Sequence, residues 1–586
     1  MKAIDHYYGL LQYLQETRQP KQVTIEQLSS ILHCSNRNTK LIIAKLQKLG
    51  WITWIPGRGR GDYSTISLEV DFAPLVLSEA KKYSSIDDSI AFIQQYQLQD
   101  DVQRNYIYSL FSDLRQGEET SKQINKDRLL FPSYRPLLLL DPYFVNRRSE
   151  NHVMRHIYSS LVTYDENRKS HKPHLAHHWS HQHFTEWTFY LRKDVHFHNG
   201  QELTAADVCY SFERHRHPQS AYYWITRCIR SITILDRYTV RFTLKQQAPF
   251  FLHLVASLGG SIVPDGFMNQ FVGSGPFQVQ EQSNHKLTLV TFPSYFGLRP
   301  LLDEVTMYFF PALYDNQLQD SFTESVNFHH YPYSNQKTAE LSQDTVIDKG
   351  SKLLTLNMNK NLTSDPCLRK AIFLALHPKK LINDLQGNRF TPASRMDSQL
   401  EGHHDTRSET DAASYYVKQS GYNGEVLTLY TYTGAGNELD GKWIQKTLAK
   451  IGIHCSLYVY PYEELQKLPL QDEADLLLGE QLADESLIYT YLSSLIGSHS
   501  LASYHLSKRV LQQIDSVFIE KQKEWECLQA LEQIEEELSR SHHLIYLYRL
   551  QQFAIHEEHL ENVQLNALGW VDYTKLWYNR LANTLK

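Results

Sequence analysis

Residues 19–61 read QPKQVTIEQLSSILHCSNRNTKLIIAKLQKLGWITWIPGRGRG, and the punctuation of this stretch decides the fold at the amino-terminal end. Thr24 followed by Gln27 has the form of a capping box, in which each side chain accepts from the other residue's backbone N–H. It opens a helix with Leu28, Ile31 and Leu32 at core spacing. His33 and Cys34 make a short turn. Ser35 then caps a further helix that buries Ile42, Ile43, Leu46 and Leu49, and Gly50 ends it. Working outward, residues 5–16 predict a first helix with Tyr8, Leu11 and Leu14 on its buried side. Residues 51–55 and 63–68 predict two strands around PGRGRGD, a hairpin tip with two arginines among three glycines.

The third helix opens on SNRNTK, which places Asn36, Arg37, Asn38 and Lys40 at or near its N-terminal end. In a helix-turn-helix that end enters the major groove, where Asn and Arg make bidentate contacts to adenine and guanine edges. Arg58 and Arg60 on the glycine-rich tip suit a narrow minor groove or phosphates, because glycine lets a backbone approach closely. The alternative is a small protein-interaction domain with a solvated basic face; the RGRG tip favours DNA. Charge agrees once it is divided. The 586-residue chain is −6 overall, but residues 1–70 carry +4 and the remainder −10. An acidic body disfavours non-specific coating of DNA and leaves the contact to the head.

This stretch resembles the N-terminal DNA-binding domain of SgrR-type transcriptional regulators. The similarity covers most of residues 5–68 and is most specific in CSNRN, LGWITW and GRGRG. The resemblance implies a winged helix-turn-helix over residues 1–70.

Residues 71–128 read as a helical connector. Val102, Tyr106, Leu110 and Leu114, with Ile107 and Phe111, follow helical spacing, and the polar run at 115–127 is a linker candidate. From Leu129 short strands alternate with helices. EWTFYLR (186–192) and TVRFTLK (239–245) alternate apolar and polar residues, and a helix capped by Thr204, with Asp207 in its first turn, lies between them. LTLYTYT (427–433), a helix around 443–451 and HCSLYVY (454–460) form a strand–helix–strand unit that suggests a parallel sheet. GSGP at 273–276 marks a tight turn.

Phrases running in order along most of residues 130–580 are similar to the solute-binding proteins of peptide- and nickel-type ABC importers, and residues 129–586 are expected to form that domain. They include WTFYLRKDVHFHNGQELTAADVCYSFER, GSGPFQV, LNMNKNLTSDPCLRKAIFLALHPKKLI and the closing LGWVDYTKLW. The resemblance implies a multidomain α/β chain whose larger part is a two-lobed, periplasmic-binding-protein-like domain (type II, cluster C), hinged around an enclosed ligand. Asp5 and His6 stand where a signal peptide needs an apolar core, the six cysteines are scattered, and no run of about 18 apolar residues occurs. The expectation is a cytoplasmic ligand-sensing regulator with no membrane contact. One head per chain suggests, without requiring, a homodimer on two half-sites. The rival reading is the solute-binding component of an importer for peptides or nickel.

Four ligand candidates follow. Arg147 and Arg148 stand in a turn that lines the cleft in the solute-binding relatives, where paired guanidiniums grip phosphate or carboxylate. Asp484 matches the aspartate that holds a peptide's amino group in peptide binders. The neighbouring tryptophan and tyrosine of that motif are replaced here (Glu480 or Gln481, and Glu485), which weakens a peptide assignment. Trp224, beside Tyr222 and Tyr223, could stack on a ligand. Arg147, Arg148 and the family resemblance favour an anionic metabolite such as a sugar phosphate, with a peptide as the alternative. The histidine-dense SHKPHLAHHWSHQHF reads as a connector of solvated or packing histidines, so no metal and no cofactor are expected. No nucleophile elbow, P-loop or H-E-x-x-H occurs, and the expectation is a non-enzyme.

Overall fold

A computed structural model describes residues 2–14, 19–57, 63–83, 86–96, 98–99, 102, 106, 126–133, 135–137, 139–144, 147–268, 271–309, 328–330, 341–400 and 410–579. Arg58 and Arg60, all of the expected helix at 102–114 except Val102 and Tyr106, and the linker at 115–125 lie outside the described residues. The chain forms two compact units. One is Met1–Ile124 with Phe309–Asp315; the other is Asn125–Tyr308 with Asn316–Lys586.

In the first unit the capping residues act as their chemistry dictates. Thr24 and Gln27 close the capping box at the start of Ile25–Ile31, and the Ser35 hydroxyl accepts from the Asn38 N–H at the start of Asn36–Lys48. Gly50 follows with φ of 70°, the left-handed conformation of a helix stop. Strand Ser64–Leu68 is central, antiparallel to Ile52–Ile55 on one side and to Lys21–Val23 on the other. The first helix is Ala3–Leu14, and its buried side is Ile4, Tyr7, Leu10, Leu11 and Leu14. Tyr7 rather than Tyr8 therefore enters the core, where its hydroxyl donates to Val70 O at 2.5 Å, while half-buried Tyr8 stacks on Phe72 at 5.0 Å. Helices Phe72–Ala80 and Ile86–Gln94 supply Phe72, Leu75, Val76, Ala80, Phe92 and Ile93 to the same core.

In the second unit the strands expected at 186–192 and 239–245 pair antiparallel within a four-stranded sheet ordered 229–236, 239–244, 186–191, 176–182. The histidine-dense stretch is not a connector: its second half is the edge strand Ala176–Gln182, and Ser170–Pro173 pairs with Val162–Asp165. A second sheet is ordered 277–282, 286–291, 304–309, 128–133, with its first three strands antiparallel. Gly273 and Gly275 close against the end of helix Arg148–Ile157. Any Cβ at Gly273 would meet Ile157 O at 2.0 Å, so the GSGP turn requires glycine there. These elements, with the C-terminal residues 551–579, make the first lobe.

The second lobe, residues 351–546, is built on a five-stranded sheet ordered 455–460, 427–432, 476–481, 351–356, 544–546. Leu427–Tyr432 runs parallel to both of its neighbours, as the strand–helix–strand reading expects, and the remaining pairs are antiparallel. Leu354, Leu356, Ile444, Leu448, Leu476 and Leu478 form its core with helix Pro366–Ala375. The chain passes between the lobes at 348–350 and again near 547. Buried Arg549 ties these crossings, donating to Gly350 O at 3.1 Å and to Arg395 O at 2.6 Å.

Two buried histidines set an acid limit. His215 lies against Ser220 Oγ at 2.6 Å and His505 against Thr355 Oγ1 at 2.9 Å, and burial pushes both down to about 3. Both fold as neutral imidazoles, whereas the unfolded chain takes up their protons below about 6.5. Their contribution is complete above that value and declines as pH falls toward 3. Urea unfolding is expected to show a loss of about 1 kcal/mol per histidine between about pH 6.5 and 5.5. His215→Gln should remove its share of that slope.

Candidate ligand cleft and nucleic-acid face

A cavity of about 140 Å³ lies where the two lobes face each other, lined from the first lobe by Arg135, Arg147, Arg148 and Trp224 and from the second by Tyr432, Tyr462 and Asp484, among others. The structure thus brings all four ligand candidates to one cavity, although Arg147 and Asp484 are far apart in sequence. A space of this size holds a molecule of roughly benzene dimensions.

The four differ in what they have left to offer. Arg148 is the first residue of helix Arg148–Ile157; its guanidinium donates to Leu568 O at 2.6 Å and pairs with Asp348 at 2.6 Å and Glu480 at 3.6 Å. Arg147 is the N-cap of that helix and makes no side-chain cap. Its guanidinium lies 5.0 Å from the Tyr462 ring centroid and reaches the exposed Glu463 carboxylate at a long 3.4 Å. Arg147 therefore presents donors to the cavity beside the helix N-terminus, whose backbone N–H groups also favour an anion. Arg135 is held by bidentate contact with buried Glu150 (Nη2 to Oε2, 2.6 Å). Trp224 is buried and packs on Tyr489 at 5.7 Å, forming an apolar wall.

Asp484 is answered by a residue that local sequence reading did not single out. Arg155, two turns along the same helix as Arg148, donates to Asp484 and, at 2.6 Å, to Glu485. Burial lifts the Asp484 carboxyl, while Arg155 overcomes burial and holds Glu485 below the usual carboxylate range. The Tyr432 and Tyr462 hydroxyls are pushed far up by burial and stay protonated. Tyr432 Oη accepts from the Glu480 N–H at 3.1 Å. The signal for Arg155 was the seven-residue step from Arg148, which returns to one helix face. Its partners in residues 484–485 have no local sequence signature.

On the first unit, Asn36, Arg37, Asn38 and Lys40 are exposed at the opening of helix Asn36–Lys48, while Thr39, Ile42 and Ile43 turn inward. Asn36 Nδ2 reaches Glu26 Oε1 at 3.5 Å. The polar row is held in place by the capped helix start and the buried face beneath it.

Two lobes, two crossings and a cavity closed by cross-lobe ion pairs define a solute-binding protein. The chain belongs to the bacterial extracellular solute-binding proteins of family 5, whose middle region it matches over residues 171–500. Residues 2–116 match the N-terminal domain described as sugar transport-related sRNA regulator. The SgrR-type resemblance thus holds on both parts. The chain is similar to YhjP of Bacillus subtilis (strain 168), 27% identical over 99% of this chain and 100% of that protein. It is also similar to the HTH-type transcriptional regulator SgrR of Yersinia enterocolitica, 25% identical over 95% and 96% respectively. Among solved structures, the periplasmic binding protein DppA of Helicobacter pylori, in complex with the peptide STSA, aligns with a TM-score of 0.66. It is 22% identical and covers 77% of this chain and 98% of that one.

Proposed function

We propose that this protein is a ligand-responsive transcriptional regulator of the cytoplasm, in which residues 1–70 contact DNA, residues 71–128 complete the head's core with their helices and lead on to the sensor, and residues 129–586 sense a small solute. The observation that carries the reading is the exposed row Asn36, Arg37, Asn38 and Lys40 at a capped helix start, on the same chain as a cavity between two lobes. Similarity to SgrR along nearly the whole chain supports it over the importer reading. The ligand is a small anion taken by Arg147 and the adjacent helix start; a cavity of about 140 Å³ disfavours an extended peptide. Closure of the lobes changes DNA affinity by the difference in ligand affinity between the two states, typically about 5–150-fold. The chain binds as a dimer to two half-sites and carries out no catalysis.

Footprinting over the gene's own upstream region tests this, with and without sugar phosphates, short peptides and nickel. Protection is expected, and Arg37→Ala should relax base preference at one position, costing about 1–3 kcal/mol there. Arg58→Ala with Arg60→Ala should instead lower affinity on all sequences and reduce the salt slope by about 2. Absence of protection, or identical footprints for the Arg37 variant and wild type, would reject the assignment.

A further inference from the structure

Beside the cleft, three side chains from three elements converge. His171 stands in strand Ser170–Pro173 and His253 in the short helix Phe251–Ala256, both of the first lobe. Glu524 opens the second-lobe helix Glu524–Arg540. One ligand atom from each lies within 4.8 Å of the others. The imidazole rings meet edge to face at 4.4 Å, and His253 Nε2 is 3.5 Å from Glu524 Oε2. Ligands on a tetrahedral ion with bonds of about 2.0–2.1 Å stand roughly 3.4 Å apart, so the His253–Glu524 spacing already fits. The other spacings lie within 4.8 Å, and the exposed Glu524 and half-buried His171 side chains can both adjust.

A second observation is independent of this convergence. His253 is 4% exposed, yet its Nε2 and the Nε2 of His171 are buried without a hydrogen-bond partner among the described residues. Each such nitrogen has lost its hydration without a compensating hydrogen bond, and here two of them face each other. The other side of His253 is fixed. Its Nδ1 lies 2.7 Å from Ser486 Oγ, which also accepts the Tyr489 N–H. With Nδ1–H donating to that oxygen, the Nε2 lone pair is aimed at His171 and Glu524. This is the outer-shell arrangement that orients metal-ligating histidines. Tyr164 closes one side, 5.2 Å from each imidazole.

We propose that His171, His253 and Glu524 bind a zinc-type divalent transition-metal ion that joins the two lobes. Two imidazole nitrogens and one carboxylate leave a fourth position for water, and the nitrogen donors select zinc, cobalt or nickel over magnesium and calcium. None of the three residues lines the ligand cavity. They connect to it through Ser486, whose N–H donates to Asp484 Oδ1 at 3.1 Å. An ion here holds the first-lobe histidines against the second-lobe carboxylate and favours the closed arrangement.

The test uses the full chain. Equilibrium dialysis with zinc should give one ion per chain, and cobalt(II) should give the visible absorption of a tetrahedral centre. Magnesium and calcium should not compete. His171→Asn and Glu524→Gln, both outside the deep core, should each weaken zinc binding at least about tenfold. The double variant His177→Ala, His178→Ala, on the exposed strand nearby, should leave binding unchanged. Zinc should also raise the unfolding temperature of the wild type and not of Glu524→Gln. Failure of zinc to bind saturably, or affinity that follows His177 and His178 instead of His171, would overturn the site. Full affinity in Glu524→Gln would overturn the joining of the lobes.

Discussion

Replacement of Asp440 by alanine is expected to lower the unfolding free energy by about 3–5 kcal/mol, the cost of stranding buried charge. Asp440 is fully buried in helix Asn437–Ala449. One carboxylate oxygen accepts from Arg389 Nε at 2.9 Å, and the other accepts from Tyr548 Oη at 2.6 Å. Lys352, also fully buried, stands 3.8 Å away and donates to Ala435 O at 3.0 Å and to Asn437 Oδ1 at 2.7 Å. Asp440 thus faces two cations, Arg389 and Lys352, and Glu480, opposite Lys352 in the sheet, adds a second negative charge beside the lysine. Without it, the guanidinium cannot shed its proton, but the lysine can. Burial already pulls Lys352 below its ordinary value. In the variant, the unfolded chain therefore binds more protons than the folded one up to about pH 10, and stability rises with pH across that window. The deficit, measured by urea unfolding, should be largest near neutral pH and shrink by pH 9. A loss under about 1 kcal/mol, or a deficit that grows with pH, would contradict the network's role.

How far the fold could be read in advance depends on whether its determinants are local. Thr24 with Gln27, Ser35 and Thr204 with Asp207 form caps because their chemistry operates over three residues. Lys21–Val23 escaped notice because it is short and polar, and pairing with Ser64–Leu68 alone makes it a strand. The histidine-dense segment escaped for a similar reason. Its edge strand carries almost no buried face to mark a period of two, and its register on Glu186–Leu191 defines it. In the cleft, Arg147, Arg148 and Asp484 were legible in family phrases, and Trp224 as an aromatic suited to stacking. Their partners were not: Glu463 pairs with Arg147, Asp348 with Arg148 and Arg155 with Asp484, each across more than 190 residues of sequence. Burial and pairing across the lobes decide which arginine is occupied, and sequence spacing carries neither.

That division between adjacent arginines yields the sharpest expected contrast. Arg148→Ala should destabilise the closed form by about 3–5 kcal/mol, whereas Arg147→Ala should change stability by less than about 1 kcal/mol. Arg148 is 9% exposed, and Asp348 at the crossing is 2% exposed. Their 2.6 Å pair, with Glu480 at 3.6 Å from the second lobe, sets one cation between two carboxylates. Truncation leaves Asp348 with the Gly350 N–H at 2.9 Å and Gln552 Nε2 at 3.5 Å, and removes the cation that it shares with Glu480 of the second lobe. The repulsion is relieved by opening, so the variant should be more susceptible to proteolysis between the lobes and unfold at lower denaturant. Arg148→Lys should restore only part of the loss, since an ammonium cannot replace the planar fork that also reaches Leu568 O. Arg147 carries no such burden; its truncation should instead abolish stabilisation by anionic ligands in thermal unfolding. Equal stability losses for the two variants would erase the distinction between clamp and ligand contact. Ligand response surviving in Arg147→Ala would move the anion site elsewhere in the cavity.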